Sequence, residues 1–235
     1  LTTLHNKTIL ITSGGTLEKW DEVRGHTNLA RGTMGCYLAE TALDLGAKVI
    51  YLHGYFAKVP KSHPNLRLLP FLGIENLTDQ LRSTLTAEQI DAVIMTAAVS
   101  DWIVDKMLDQ DGNLITDTGK ISSDNPPIVH FKKAPKVITQ IKAWQPATFL
   151  VGFKLEHNAD PDYLLERSRL RMDAWRADLV VANASHSLYT ETTPHYIVPR
   201  QGEVEVCADK KTTAHKLLDR LSQQGREAVS HDVSF

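Results

Sequence analysis

The sequence predicts an α/β fold built on a doubly wound, mostly parallel sheet with a β-hairpin or flap excursion. Three observations carry this. Short apolar, β-branched runs alternate with longer segments whose apolar residues recur at helical spacing. Some of those runs end in small residues, where a parallel strand gives way to a loop. Residues 103–131 then interrupt the alternation with Asp109, Asp111, Gly112, Asn113, Asp117 and Gly119.

In chain order, Thr8-Ile9-Leu10-Ile11-Thr12 reads as a buried strand. Ser13-Gly14-Gly15-Thr16 follows, and glycine, lacking Cβ, lets a ligand approach the backbone there. The next helix begins near Thr33, with Met34, Leu38, Ala42 and Leu45 on one face and Gly46 as its stop. About sixteen polar residues lie between strand and helix, where such loops usually hold about two to six. A loop of that length at a strand's carboxyl end points to function. Residues 47–52 form a second strand and 66–69 a short third. Ile74, Leu77, Leu81 and Leu85 mark a helix over 74–88. Asp91 to Val99 is apolar enough for a strand buried on both faces. The polar excursion follows, then a helix from Ala134 to Trp144. Residues 149–153 and 179–183 are core strands joined by a helix over about 161–176. A hairpin over 195–207, turning at Gln201-Gly202, precedes a last helix with Leu217, Leu218 and Leu221. No internal repeat or low-complexity linker appears. The expectation is one domain over residues 1–235 with a Rossmann-like sheet.

Composition narrows the function classes. The chain has 235 residues, 42% hydrophobic and 23% charged, as in ordinary globular domains. A formal charge of −2 gives no general pull toward nucleic acid or anionic membrane. No apolar run nears the roughly 18 residues of a spanning helix, and the N-terminus lacks a signal-peptide pattern. A cytoplasmic protein is expected, with Cys36 and Cys207 as free thiols. The ten histidines show no metal-ligand spacing. His26, beside Asn28, reads as an exposed loop histidine and is the one worth following.

A fold of this type does not name its function. An NAD(P)-dependent reductase would show Gly-x-Gly-x-x-Gly opening directly into a helix. Here Gly14-Gly15 lacks the third glycine, the helix is delayed, and no Tyr-x-x-x-Lys pair occurs. That reading and a catalytically inactive nucleotide-binding module stay open as alternatives.

Gly14-Gly15-Thr16, then Asp21-x-Val23-Arg24, then Thr27-Asn28-x-x-x-Gly32-x-Met34-Gly35 resembles the start of phosphopantothenoylcysteine synthetase, the ligase of coenzyme A biosynthesis. The family usually reads Ser-Asn-His-Ser-Ser-Gly-Lys-Met-Gly there, and this chain has Leu29-Ala30-Arg31 in place of His-Ser-Ser. Ala97-Ala98-Val99-Ser100-Asp101-Trp102 resembles the family's Ala-Ala-Val-Ala-Asp-Tyr. Lys120-Ile121 resembles its mobile-loop lysine, and Lys132-Lys133-Ala134-Pro135 its Lys-Asn-Pro segment. Val151-Gly152-Phe153 resembles the Val-Gly-Phe that sets an aromatic ring near the base. Lysines near a helix start, with Pro135 at an early helical position, suit a polyphosphate. The resemblance covers most of residues 8–183. It departs where the family carries lysines four apart before Asp-Leu-Ile-x-Ala-Asn-Asp. Leu170 and Ala174 stand at those positions, with Arg167, Arg169 and Arg171 nearby, and Ala184 replaces the last Asp.

The resemblance implies that the carboxylate of 4′-phosphopantothenate attacks a nucleoside triphosphate to give an acyl nucleotidylate, which the amine of L-cysteine then intercepts. It implies catalytic roles for Asn28 and Lys120. Nucleotide contacts would come from Gly14, Gly15, Thr16, Ala97, Ala98, Asp101, Lys133, Ala134, Pro135 and Phe153, and substrate contacts from Arg24, Arg31 and Gly32. Mg²⁺ is expected on the nucleotide phosphates, with no protein ligand assigned. The wording Ala-Ala-Val-Ser-Asp and Lys-Ile-Ser-Ser looks bacterial, which favours CTP over ATP. A stand-alone synthetase is expected, with phosphopantothenoylcysteine decarboxylase a separate protein acting next. It is also expected to be a homodimer that binds neither nucleic acid nor membrane.

Overall fold

The computed structural model describes residues 3–117, 119–157 and 160–230, with backbone alone over 225–230. Strand β1 (Thr8–Ser13) leads to two short strands, β2 (Leu17–Lys19) and β3 (Gly25–Thr27), then helix α1 (Thr33–Asp44). Next come β4 (Lys48–His53), β5 (Leu66–Pro70), α2 (Ile74–Ala87) and β6 (Ala92–Met95). β7 (Trp102–Leu108) and β8 (Ile128–Lys133) form the excursion. A 3₁₀ turn (Val137–Gln140) runs into α3 (Ile141–Trp144), followed by β9 (Phe149–Glu156), α4 (Pro161–Trp175) and β10 (Leu179–Ala184). A second 3₁₀ turn (Ser185–Leu188), β11 (His195–Pro199), β12 (Glu205–Cys207) and α5 (Lys210–Ser230) complete the described chain.

Eight strands form the main sheet in the order β12-β11-β10-β9-β6-β1-β4-β5. Pairing is parallel from β10 to β5, and β11 and β12 add an antiparallel edge. Alternation along each strand divides the apolar residues between two cores. On one face Ile9, Ile11, Val49, Ile94 and Val181 pack with Leu38 and Ala42 of α1 and Leu217 and Leu221 of α5. On the other, Leu10, Ile50, Val93, Leu150 and Val180 pack with Leu77, Leu81 and Leu85 of α2 and with Ile141 and Met172. Both faces are covered, so the central strands read as continuous apolar runs.

The sheet continues to β4 on one side of β1 and to β6 on the other. That reversal is the switch point at which a doubly wound sheet opens a crevice.

Three sequence expectations change. The long polar stretch after β1 is not all loop: β2 and β3 pair antiparallel, Leu17 opposite Thr27. The pairing survives without an apolar face because tertiary contacts, described below, hold it. Strand β6 stops at Met95 rather than Val99. The helix expected from Ala134 starts later, as a 3₁₀ turn at Val137. Proline disfavours helical backbone at the residue before it, and β8 runs through Lys133. Lys132 and Lys133 therefore sit on a strand, and Pro135 lies outside the helix. The expected excursion is the β7–β8 hairpin with a long loop between its strands. Cys36 and Cys207 are free.

Candidate active site

Beyond their last paired residues, β1 and β6 stay stitched together. Ala98 N–H donates to Gly14 O at 2.8 Å and Thr16 N–H to Ala98 O at 3.2 Å. Thr12 Oγ1 accepts from Ala97 N–H at 3.2 Å, and Thr16 Oγ1 from Ser100 N–H at 3.0 Å. The strand ends are thus fixed, and Gly15 and Thr16 are consumed as structure: both are buried in this seam. Gly14 turns at φ 81°, where a Cβ would lie 2.5 Å from that of Ala57. Helix α1 comes in against the seam without a side-chain cap, its N-cap being Gly32 at φ 75°. A Cβ on Gly35 would come 2.3 Å from Ser13 Oγ, so the helix start lies almost on the end of β1.

A cavity of about 160 Å³ opens at this seam. Gly14, Asn28, Arg31, Gly32, Ala97, Ala98 and Phe153 line it, all named from the sequence. Thr33, Met34 and Gly35 line it too; as the first turn of α1 their N–H groups precede the helical ladder. They favour negative charge or an oxyanion there. Asn28 Oδ1 accepts from Ala30 N–H at 3.0 Å, which leaves the amide NH₂ free to donate.

Sequence reasoning missed the other end of the cavity, formed by Asn183, Ser187, His195 and Lys210. Asn183 and His195 are opposite each other across β10 and β11. All four are buried polar residues. Asn183, in the Ala-Asn strand end, was the nearest signal; His195 and Lys210 carry no local motif.

Several named residues lie elsewhere. Asp101 is exposed and ion-paired with Lys136. Lys120 and Lys133 are exposed on the excursion, and Ala134 and Pro135 lie just past β8. Leu170 and Ala174 are exposed on α4, where Arg167 reaches Glu156. Among the described residues no group of three His, Cys, Asp or Glu side chains could hold a metal ion.

Arg24 also faces away from the cavity, into a latch. The buried Asp21 carboxylate accepts from Val23 N–H (2.9 Å), Arg24 N–H (2.7 Å) and Arg24 Nε (2.9 Å). It also accepts from Ile121 N–H at 3.2 Å, while Arg24 Nη2 donates to Ile121 O. Both backbone groups of Ile121, the neighbour of Lys120, are thereby held. Burial alone would raise the Asp21 pKa, but these hydrogen bonds prevail and hold it well below the usual carboxylate range. His26 forms a second tie. Its Nδ1 accepts from Trp20 Nε1 at 3.0 Å, so Nε2 carries the proton, within reach of Ser100 Oγ at 3.2 Å. Its ring meets Phe131 edge-on, with centroids 5.0 Å apart. This half-buried histidine clamps the β2–β3 hairpin to the root of β7–β8, where an exposed loop histidine was expected.

The latch has a testable pH signature. With a native pKa below the 3.8 of a free side chain, the unfolded chain binds the proton first as pH falls. The stabilisation is complete above about pH 4 and is lost only as pH falls toward the depressed value. Asp21→Asn should raise hydrogen exchange at the Ile121 amide at neutral pH by about tenfold or more, roughly 1.4 kcal/mol of local opening. Unchanged exchange at Ile121 would refute the latch.

The chain is 31% identical over 218 residues to the coenzyme A biosynthesis bifunctional protein CoaBC of Thermococcus kodakarensis, covering 93% of this chain and 50% of that protein. It is 32% identical over 98 residues to the phosphopantothenate–cysteine ligase of Mus musculus, covering 41% of this chain and 30% of that one. The chain spans about half the length of the curated bifunctional relatives it matches. A crystal structure of the DNA/pantothenate metabolism flavoprotein from Streptococcus pneumoniae superposes with a TM-score of 0.83 at 28% identity, covering 93% of this chain and 99% of that one. The model of the DNA/pantothenate metabolism flavoprotein C-terminal domain matches residues 4–224, and the chain belongs to that family.

Proposed function

We propose that the protein joins 4′-phosphopantothenate to L-cysteine through an acyl nucleotidylate, as one synthetase domain. The observation that supports this most is the cavity at the β1–β6 seam, where Gly14, Asn28, Ala97, Ala98 and Phe153 line one space. The names of the Thermococcus and mouse relatives agree with this reading.

In the first step a carboxylate oxygen attacks the α-phosphorus of a nucleoside triphosphate, CTP in preference to ATP, and pyrophosphate leaves with the electron pair. In the second the cysteine amine attacks the acyl carbon and the nucleoside monophosphate leaves. Neither step needs covalent help from the protein, so positioning and charge neutralisation dominate. The first-turn N–H groups of α1 and the guanidinium of Arg31 stabilise negative charge in the cavity. The Asn28 NH₂ donates to the acyl oxygen, its orientation set by the Ala30 contact. Mg²⁺ would neutralise the phosphates and be held by them, since the acidic side chain at a family position, Asp101, is engaged by Lys136. The thiol-bearing product would pass to a decarboxylase.

The β7–β8 hairpin leaves the main sheet with Trp102, Leu114, Ile128 and Phe131 exposed, apolar area that a second subunit would cover. The protein is therefore proposed to act as a homodimer, and sedimentation of an active monomer at micromolar concentration would exclude that.

Pyrophosphate release with CTP, ATP or no nucleotide, in the presence of phosphopantothenate and cysteine, tests the activity. Asn28→Asp keeps the acceptor for Ala30 but removes the donor. It should slow the cysteine-dependent step by more than about tenfold, roughly 1.4 kcal/mol of barrier; a rate within about twofold of wild type removes Asn28 from catalysis. Lys120→Gln should leave the thermal midpoint unchanged, because the side chain is exposed. It should cut turnover by about a hundredfold, roughly 2.7 kcal/mol, if the ammonium closes over the phosphates in a drier site. Arg at the same position should restore activity in part. Wild-type turnover of the Gln variant at saturating nucleotide would make Lys120 a solvated loop lysine.

A further inference from the structure

The end of the cavity beneath β10, β11 and α5 holds two buried basic groups that the two-step chemistry above does not use. His195 is 1% exposed and Lys210 8%. His195 Nδ1 lies 2.8 Å from the Thr193 carbonyl. A carbonyl only accepts, so Nδ1 carries the proton and Nε2 the lone pair. Nε2 has no hydrogen-bond partner among the described residues, yet it is not sealed in protein: the imidazole lines the cavity. Lys210 Nζ donates to Thr190 O at 3.0 Å. No carboxylate lies within ion-pair distance of it among the described residues. A buried ammonium with one neutral acceptor is an incomplete arrangement that an anion would finish. The chemistry of the two groups also limits the occupant: a cation beside a neutral base suits a small molecule that carries both a carboxylate and an amine.

We propose that this end of the cavity is the amino-acid subsite, in which Lys210 pairs with the α-carboxylate of cysteine and Nε2 of His195 accepts a proton from its α-ammonium. The proposal rests on the ligase reading and extends it. Free cysteine arrives as an ammonium, which has no lone pair to attack with. One proton passes to Nε2, giving an imidazolium and a free amine. The amine's pair forms the C–N bond, the bond from acyl carbon to the phosphate oxygen breaks, and the monophosphate takes that pair. The second nitrogen proton leaves with the departing monophosphate, and the imidazolium returns its own to solvent. The surroundings fit a base that is neutral at the start. Burial lowers the His195 pKa from its usual value; the Thr193 carbonyl opposes this, the Lys210 charge adds to it and Asp209 opposes it. Burial likewise lowers that of Lys210, against Glu191 and with Lys58.

The test separates the half-reactions in single turnover on the full chain. Pyrophosphate release without cysteine is the reference for each variant, and capture of the acyl nucleotidylate by amine is the measured step. Cysteamine, which lacks the carboxylate, serves as the second amine. His195→Gln should slow capture of cysteine by about a hundredfold relative to that reference. Its remaining rate should climb with pH as free amine becomes available, where the wild type levels off above the His195 pKa. Lys210→Met, which keeps the length of the side chain, should raise the cysteine KM by about tenfold or more and bring cysteine and cysteamine to similar efficiency. A His195→Gln variant with wild-type capture and pH profile overturns the base. A Lys210→Met variant that still prefers cysteine as strongly as the wild type overturns the carboxylate contact. A wild type that releases no nucleotide-dependent pyrophosphate sinks the ligase reading, and this subsite with it.

Discussion

The rest of the structure depends on the seam between β1 and β6. Sheet connections reverse there, so the helices that follow the two strands pass to opposite faces and leave a gap above the strand ends. A gap in a sheet exposes backbone N–H and C=O groups that need partners. Residues 12–16 and 96–100 supply one another's, through backbone pairs and through the hydroxyls of Thr12 and Thr16. What stays open above the seam is lined by small residues and by the uncapped start of α1. A ligand can therefore reach backbone dipoles that are already fixed, with no reorganisation during the reaction.

The antiparallel edge gives the cavity its second wall. A purely parallel sheet would end beside β10 with a helix crossing over it. Here β11 runs back against β10 and returns the chain to the strand's carboxyl end, placing His195 opposite Asn183. β12 then turns the chain again so that α5 begins at the cavity with Lys210. Helix α5 lies on the same face as α1, and the two share one core. Two helix starts thus converge on one space, and the cation at the second is carried by that shared packing.

Much of this was legible in the sequence, and the gaps have physical causes. α1 and α2 follow from apolar residues at helical spacing, and β1, β4, β9 and β10 from short apolar runs buried on both faces. Gly14, Asn28, Ala97 and Phe153 were found from local motifs beside strand ends. The β2–β3 hairpin was not, because no apolar stripe forms it; Asp21, Arg24 and His26 hold it through residues 74 to 100 positions away. His195 and Lys210 escaped for the same reason. Each is polar, each follows a turn, and only the folded sheet brings them to Asn28. The helix expected from Ala134 starts later because Pro135 disfavours helical backbone at the residue before it and β8 runs through Lys133.

Arg24, for which the family resemblance implies a substrate contact, is engaged within the protein in this structure. In the fold, its partner Asp21 is buried and already satisfied by four donors, two of them from Arg24 itself. The guanidinium's remaining reach goes to Ile121 O, so its charge is spent holding a loop. A charged pair suits this task because the loop carries few apolar groups: it has Asp109, Asp111, Asn113 and Asp117, and little to bury. Dispersion could not anchor such a segment, whereas a buried carboxylate with N–H donors can, and it does so at a defined backbone position. Lys120 is then one residue from a fixed point. The backbone beside Lys120 is in this way tied to the turn between β2 and β3, where Asp21 and Arg24 hold both polar groups of Ile121.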